Sequence, residues 1–183
     1  MADAVRTLRD INAGHGAKVE HSDTVQVVEF LLGKEHFAID LFDVKEVVEY
    51  TRITHLPNSP THIRGIIDLR GEITTIIDLK EQLRIKEKDG VAEENTRIIV
   101  LDDTITSSKM GILVDDVLSV STFSRSQVDT TVATTNQEGT HIIGIIKKTT
   151  RIRDKDHTEL VIWIDIRQIL MATDQSTTAA LPV

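Results

Sequence analysis

Four groups of residues have side-chain types that do chemistry. Asp102-Asp103 and Asp115-Asp116 set two carboxylates side by side, the raw material of metal binding or acid–base catalysis. Neighbouring residues of a strand point to opposite faces, so neither pair converges on one site unless it lies in a loop. Both pairs flank expected hairpins, where Asp is favoured for turn reasons. His55 and His62 are separated by Pro57 and Pro60, which forbid one continuous helix, and neither has a neighbour at metal-ligand spacing. They read as surface or loop histidines. The run Lys147-Lys148-Thr149-Thr150-Arg151-Ile152-Arg153 is basic enough to meet phosphates, but Asp154, Lys155 and Asp156 follow at once and no aromatics are interleaved. It reads as a solvated hairpin turn. Gly14-His15-Gly16 is too short and too far from a strand for a phosphate loop, and no zinc-ligand set or nucleophile elbow is present. The expectation is a chain with no catalytic residue, no metal and no cofactor.

What remains is a way of presenting charge. In Gly65 to Leu79, GIIDLRGEITTIIDL, two β-rich runs (Ile66 to Leu69 and Ile73 to Ile77) are joined across Arg70-Gly71. Gly71 accepts the positive φ of a tight reversal, which predicts a hairpin. Arg70 fits poorly in a turn demanding positive φ twice, so the turn type stays open. Arg70 is expected at the exposed tip of a rigid, Ile-rich hairpin, a geometry for meeting another protein. Glu46, between Val44 and Val47, is expected to point away from an apolar face. By spacing alone, both charges read as solvated.

The elements that hold these residues follow from composition and pattern. The 183 residues are 40% apolar but only 3% aromatic, so Ile, Val and Leu must fill the core, and these favour strands. Cysteine is absent, which excludes disulfides and thiolate chemistry and fits a reducing compartment. The net charge of −8 opposes nucleic-acid binding. No apolar run reaches the ~20 residues of a membrane span, so direct membrane insertion is not expected. The N-terminus has no apolar signal region. A cytoplasmic protein is expected.

Residues 1–23 read as a polar tail. Strands are predicted over Val25 to Leu32, His36 to Ile39, Arg97 to Leu101, Met110 to Val114, Val117 to Val120, Ile142 to Ile146 and Leu160 to Ile164, besides the hairpin. Asp40, Asp78 and Asp165 each end a strand and stand where they can cap a short helix. Leu41, Val44, Val47 and Val48 fall on one face of the first such helix; Ile166, Ile169 and Leu170 do so in the last, expected over 165–171. A charged loop, Lys86 to Asn95, divides the chain. The domain is expected over 24–172, with a first lobe at roughly 34–88, a second at roughly 95–165 plus the N-terminal strand, and a tail over 173–183.

In order and spacing, these segments resemble the chemotaxis coupling protein (CheW) family. The likeness covers about Val25 to Leu170. It rests on Val28 to Gly33, on Ile39-Asp40-Leu41 with Val44 to Val47, and on Pro57 through Ile63-Arg64-Gly65. Leu69-Arg70-Gly71 with Ile76 to Leu79 completes the core of the match, and Gly111 to Asp115 and Ile142 to Gly144 support it more weakly. The resemblance implies a mainly β fold of two intertwined five-stranded small barrels with short helices and a C-terminal helix. It implies a non-enzymatic adaptor joining the cytoplasmic tips of methyl-accepting chemoreceptors to the regulatory domain of the histidine kinase CheA. The implied kinase-binding residues are Val44, Glu46, Gly65, Arg70 and Gly71. The implied receptor groove lies between the lobes near Ile98, with Arg97 and Ile99. Thr75 stands where the family commonly has Pro, which should add a hydrogen-bond donor to that strand. The Thr-rich stretch Asp129 to Gly139 lacks an aromatic that some members use in ring contacts. Two other readings stay open: a CheW-like module of a larger signalling protein, and a small-ligand-binding β-barrel.

Overall fold

The computed structural model describes residues 23–85, 95–106, 108–131, 141–152 and 155–178. The expected N-terminal tail, most of the charged loop, most of the Thr-rich stretch and the last residues of the C-terminal tail lie outside them. The elements run β1 (Thr24–Leu32), β2 (Glu35–Asp40), β3 (Val44–Glu49), β4 (Ile63–Leu69), β5 (Glu72–Asp78), α1 (Leu79–Leu83), β6 (Arg97–Leu101), β7 (Met110–Val114), β8 (Asp116–Ser124), β9 (Val128–Asp129), β10 (Ile142–Ile152), β11 (Lys155–Ile164) and α2 (Ile166–Thr178). The expected mainly β fold with few short helices is what forms.

Two sheets result, ordered β8-β1-β2-β11-β10-β9 and β3-β6-β7-β5-β4. They form lobes of six and five strands, so the expected five-stranded pair holds for one lobe only. Nor does the chain divide at the charged loop. β2 stays with β1, whereas β6 and β7 join the sheet of β3, β4 and β5. The five-stranded lobe is therefore one continuous segment inserted between β2 and β8.

In the central strands, period-2 alternation sends successive apolar side chains to opposite faces, one toward each of two cores. In β6, Ile98 lies inside the five-stranded lobe with Ile53, Ile67, Ile76 and Val100. Its neighbour Ile99 joins the core between the sheets, with Phe30, Leu32, Ile39, Val44, Val47, Ile77 and Ile112. The six-stranded lobe has its own interior around Val27, Phe123, Ile146, Val161 and Trp163. The α2 residues Ile166, Ile169 and Leu170 cover the shared core.

The expected helix over Leu41 to Val48 does not form. A single 3-10 turn, Leu41–Asp43, leads straight into β3. The helical spacing of Val44 and Val47 has another cause: a register shift between Val44 and Glu46 opposite β6 makes Lys45 an extra residue. A β-bulge of this kind returns residues three apart to the same face. The basic run is likewise no turn, since β10 carries it as far as Ile152 and pairs it with β11. The caps form as expected: Asp40 accepts from the Phe42 N–H, Asp78 from those of Lys80 and Glu81, and Asp165 from that of Gln168. α2 continues past Met171 into the stretch read as tail. The Thr75 N–H donates to the Lys109 carbonyl at 2.9 Å, the extra donor expected where a Pro has none.

Candidate functional site

The β4–β5 hairpin turns in two residues, Arg70 at φ 56° and Gly71 at φ 84°. Two successive positive φ values match a type I′ turn, whose twist suits the flanking strands. Gly71 adopts this at little cost, and Arg70 at about 1 kcal/mol. The Asp68 carboxylate accepts the Gly71 N–H at 2.7 Å and steadies the reversal. Arg70 is then held from a third direction. Its two terminal nitrogens donate to the two carboxylate oxygens of Glu46, at 3.3 and 3.0 Å. Arg70 remains 72% exposed and Glu46 only 17%. The sequence reading of two solvated charges is thus corrected to one bidentate pair whose cation faces outward.

Gly65 explains how β3 and β4 come close enough for this. These are the two edges of the five-stranded sheet. The segment after β3 returns to β4, where Thr54 and Ile66 exchange backbone hydrogen bonds of 2.8 and 2.9 Å. Gly65 stands beside that bridge at φ 145°, where a Cβ would lie 2.3 Å from the Thr54 carbonyl oxygen. Only glycine permits the approach.

The eight residues expected to contact partners therefore separate by depth. Glu46, Arg70 and Gly71 meet at the surface. Val44 is fully buried in the shared core and Gly65 is buried at the bridge, so neither lies at the surface. Ile98 and Ile99 are also fully buried, and their side chains shape the lobe from beneath instead of offering contacts. Arg97, half-buried at the start of β6, is the one of the three that reaches the surface. Spacing alone misses this because β6 is apolar on both faces.

Several charged residues that the sequence reading did not place there lie near the hairpin. Lys45 donates to Asp103 at 2.9 Å, and Lys109 reaches both Asp103, at 3.2 Å, and Glu72, at 3.1 Å. Hydrogen bonds from Lys45 and Lys109 hold the Asp103 carboxyl below the usual range, and the acidic partners of Lys109 push its amine upward. The adjacent carboxylates do not converge. Asp102 accepts from Thr104, whereas Asp103 faces the lysines. Asp115 takes the Gly33 N–H at 2.6 Å and Lys80 at 2.9 Å, tying the two lobes together. No cluster of three or more metal-ligating side chains occurs among the described residues.

A second polar group sits inside the six-stranded lobe. Glu29 is fully buried and accepts hydrogen bonds from Ser119, Ser121 and Lys148. Burial alone raises its pKa, but the bonds from Ser121 and Lys148 outweigh that, and the net shift is downward. The carboxylate is a structural acceptor, one oxygen taking both serine hydroxyls and the lysine and the other taking the lysine.

Comparison with known proteins gives the family. The family model of the CheW-like domain matches residues 26–174. The chemotaxis protein CheW of Klebsiella aerogenes is 37% identical over 100 residues, which span 54% of this chain and 57% of that protein. That of Treponema pallidum is 30% identical over 124 residues, 62% of this chain and 72% of its own. The crystal structure of scaffolding protein TtCheW from Thermoanaerobacter tengcongensis aligns with a TM-score of 0.64 at 32% identity, covering 79% of this chain and 91% of that one.

Proposed function

The chain belongs to the CheW family of chemotaxis scaffold proteins, and from that premise we propose that it couples methyl-accepting chemoreceptors to the histidine kinase CheA. The kinase's regulatory domain docks at the hairpin end of the five-stranded lobe, against Arg70, Gly71 and Glu46, with Val44 and Gly65 fixing the backbone beneath. The receptor's helical tip lies along the boundary between the lobes, near Arg97, over the strand carrying Ile98 and Ile99. The protein works as a passive connector at receptor arrays on the cytoplasmic face of the membrane, and carries out no reaction of its own. Among the described residues, no helix is long and apolar enough to cross a membrane.

The observation that carries the kinase assignment is the bond between Arg70 and Glu46. It orders a long cation at an exposed tip before any partner arrives, which lowers the entropic cost of docking. The test is titration of the purified chain against a CheA regulatory-domain fragment and, separately, a receptor-tip fragment. Saturable binding of both is expected. Absence of binding to either fragment overturns the coupling role.

A further inference from the structure

The charged residues around the hairpin form a closed pattern that follows the strand order. β5 and β7 run parallel, and both begin at the end of the lobe where the hairpin turns. β6 is antiparallel to β7 and finishes there, and β3, antiparallel to β6, starts there. In sheet order this rim presents Lys45 and Glu46 from β3, Asp103 just after β6, Lys109 just before β7, Glu72 at the start of β5 and Arg70 in the turn. Glu46 then receives Arg70 across the gap between the edges. Read around the rim from Lys45, the signs alternate without a break: Lys45, Asp103, Lys109, Glu72, Arg70, Glu46. Four ion pairs of 2.9 to 3.2 Å join them, and the remaining two neighbours, Glu46 with Lys45 and Glu72 with Arg70, are adjacent or two apart in the chain.

We propose that this alternating rim is the specificity-determining face for the kinase's regulatory domain, with Lys45, Glu72, Asp103 and Lys109 contacting it alongside Arg70. The inference rests on the coupling role above and names the chemistry of the partner: a folded protein face carrying interspersed charges of both signs. The six alternating residues sum to zero, although the whole chain carries −8, and the Asp68 carboxylate beside Gly71 adds a further anion at the tip. A polyanion such as nucleic acid, or an anionic lipid surface, gains no net attraction from such a rim. A protein face with alternating charges gains six in-register contacts, and one placed out of register meets repulsion at each of them. Exposed ion pairs add little to folding. Lys45, Glu72, Asp103 and Lys109 lie outside the Arg70–Glu46 seam, so changes to these four are readable as binding effects.

The experiment measures affinity of the full chain for the CheA regulatory-domain fragment and for a receptor-tip fragment. The variants are K109E, K109M and the four-fold inversion K45E, E72K, D103K and K109E together. The inversion keeps each of the three internal pairs among these residues but reverses the signs shown outward. With wild-type kinase binding intact, K109E is expected to weaken it by at least ~10-fold and K109M by less, with receptor binding unchanged. The inverted ring is expected to stay as weak as K109E. Wild-type kinase affinity in K109E, or its recovery in the inverted ring, overturns the proposal and leaves the coupling role standing. A wild-type chain that does not bind the kinase fragment overturns both. Circular dichroism on each variant verifies folding, and K109M keeps the test decisive if the inverted ring does not fold.

Discussion

Arg70 and Glu46 belong to opposite ends of one sheet, yet their side chains meet in two hydrogen bonds of 3.0 and 3.3 Å. The pair fastens the seam at which the five-stranded sheet rolls up, and the same guanidinium stands at the outermost point of the hairpin. Structural and recognition roles fall on one side chain, so a double-mutant cycle is needed to part them. Arg70→Glu sets two carboxylates face to face and is expected to lower stability by ~1 kcal/mol, the scale of an exposed pair. Kinase-fragment affinity should fall further, by ~2 kcal/mol. Adding Glu46→Arg should recover the stability and only part of the affinity. Full recovery of affinity, measured by calorimetric titration, would show that the partner never touches Arg70.

The positive φ at Arg70 supplies an independent test. Asn and Gly are favoured at the first turn position of a type I′ hairpin. Arg70→Asn should relieve the backbone cost of ~1 kcal/mol while forfeiting an exposed ion pair of similar or smaller size. Its melting temperature is expected to equal or exceed that of wild type, with weakened kinase binding. A clear fall in melting temperature would mean that the seam depends on the guanidinium.

The hairpin, the caps and the apolar strands were legible because each is a local matter: turn chemistry at Gly71, Asp at helix starts, Ile and Val in alternation. The failures were non-local. Val44 and Val47 imitated helical spacing because a bulge at Lys45 is set by pairing with β6, more than fifty positions away. Ile98 and Ile99 offered no sign that each faces a different core. The rim was invisible because Lys45, Glu72 and the β6–β7 connection carrying Asp103 and Lys109 are three separate segments that only the strand order makes neighbours. Nothing local marked Glu29 as a buried acceptor, since its partners Ser119, Ser121 and Lys148 lie far along the chain.

Gly65→Ala should be among the most damaging single changes. The added Cβ meets the Thr54 carbonyl at 2.3 Å, and φ 145° is a conformation that alanine resists. The edge must open or the strand must shift, at an expected cost of ~3 kcal/mol or more from overpacking combined with backbone strain. Chemical denaturation measures this directly. A loss below ~1 kcal/mol, the average for any point change, would show that the seam is pliable.

Glu29 predicts a response to acid. Folding depresses its pKa below the ordinary 4.5, so its contribution is fully present above that pH. It is lost as pH falls through the lower folded value. Glu29→Gln should be less stable than wild type at neutral pH, and the gap should narrow at pH 3 and below. Glu29→Ala leaves Lys148 without its buried partner and should cost ~3 kcal/mol at neutral pH. Parallel denaturation curves for wild type and Glu29→Gln across this range would remove the assignment.

No phosphate should pass to the chain from a phosphorylated kinase. The paired aspartates are engaged separately, Asp115 with Gly33 and Lys80 and Asp103 with two lysines, so no acidic site gathers among the described residues to accept it. Radiolabel appearing on the chain in stoichiometric amount after mixing would contradict this.

The insertion of the five-stranded segment between β2 and β8 also has a consequence for how the protein is made. β1 and β2 leave the ribosome first, but their lateral neighbours β8 and β11 are translated only after the whole inserted lobe. The early hairpin must wait with both outer edges unpaired, and unpaired edges invite association with other chains. The inserted strands β3 to β7 can complete their own hydrogen bonding meanwhile. Their finished face, with Val44, Ile77, Ile99 and Ile112, then offers the waiting Phe30, Leu32 and Ile39 an apolar bed. β8 then closes the free edge of β1 and β11 that of β2, before α2 covers the shared core.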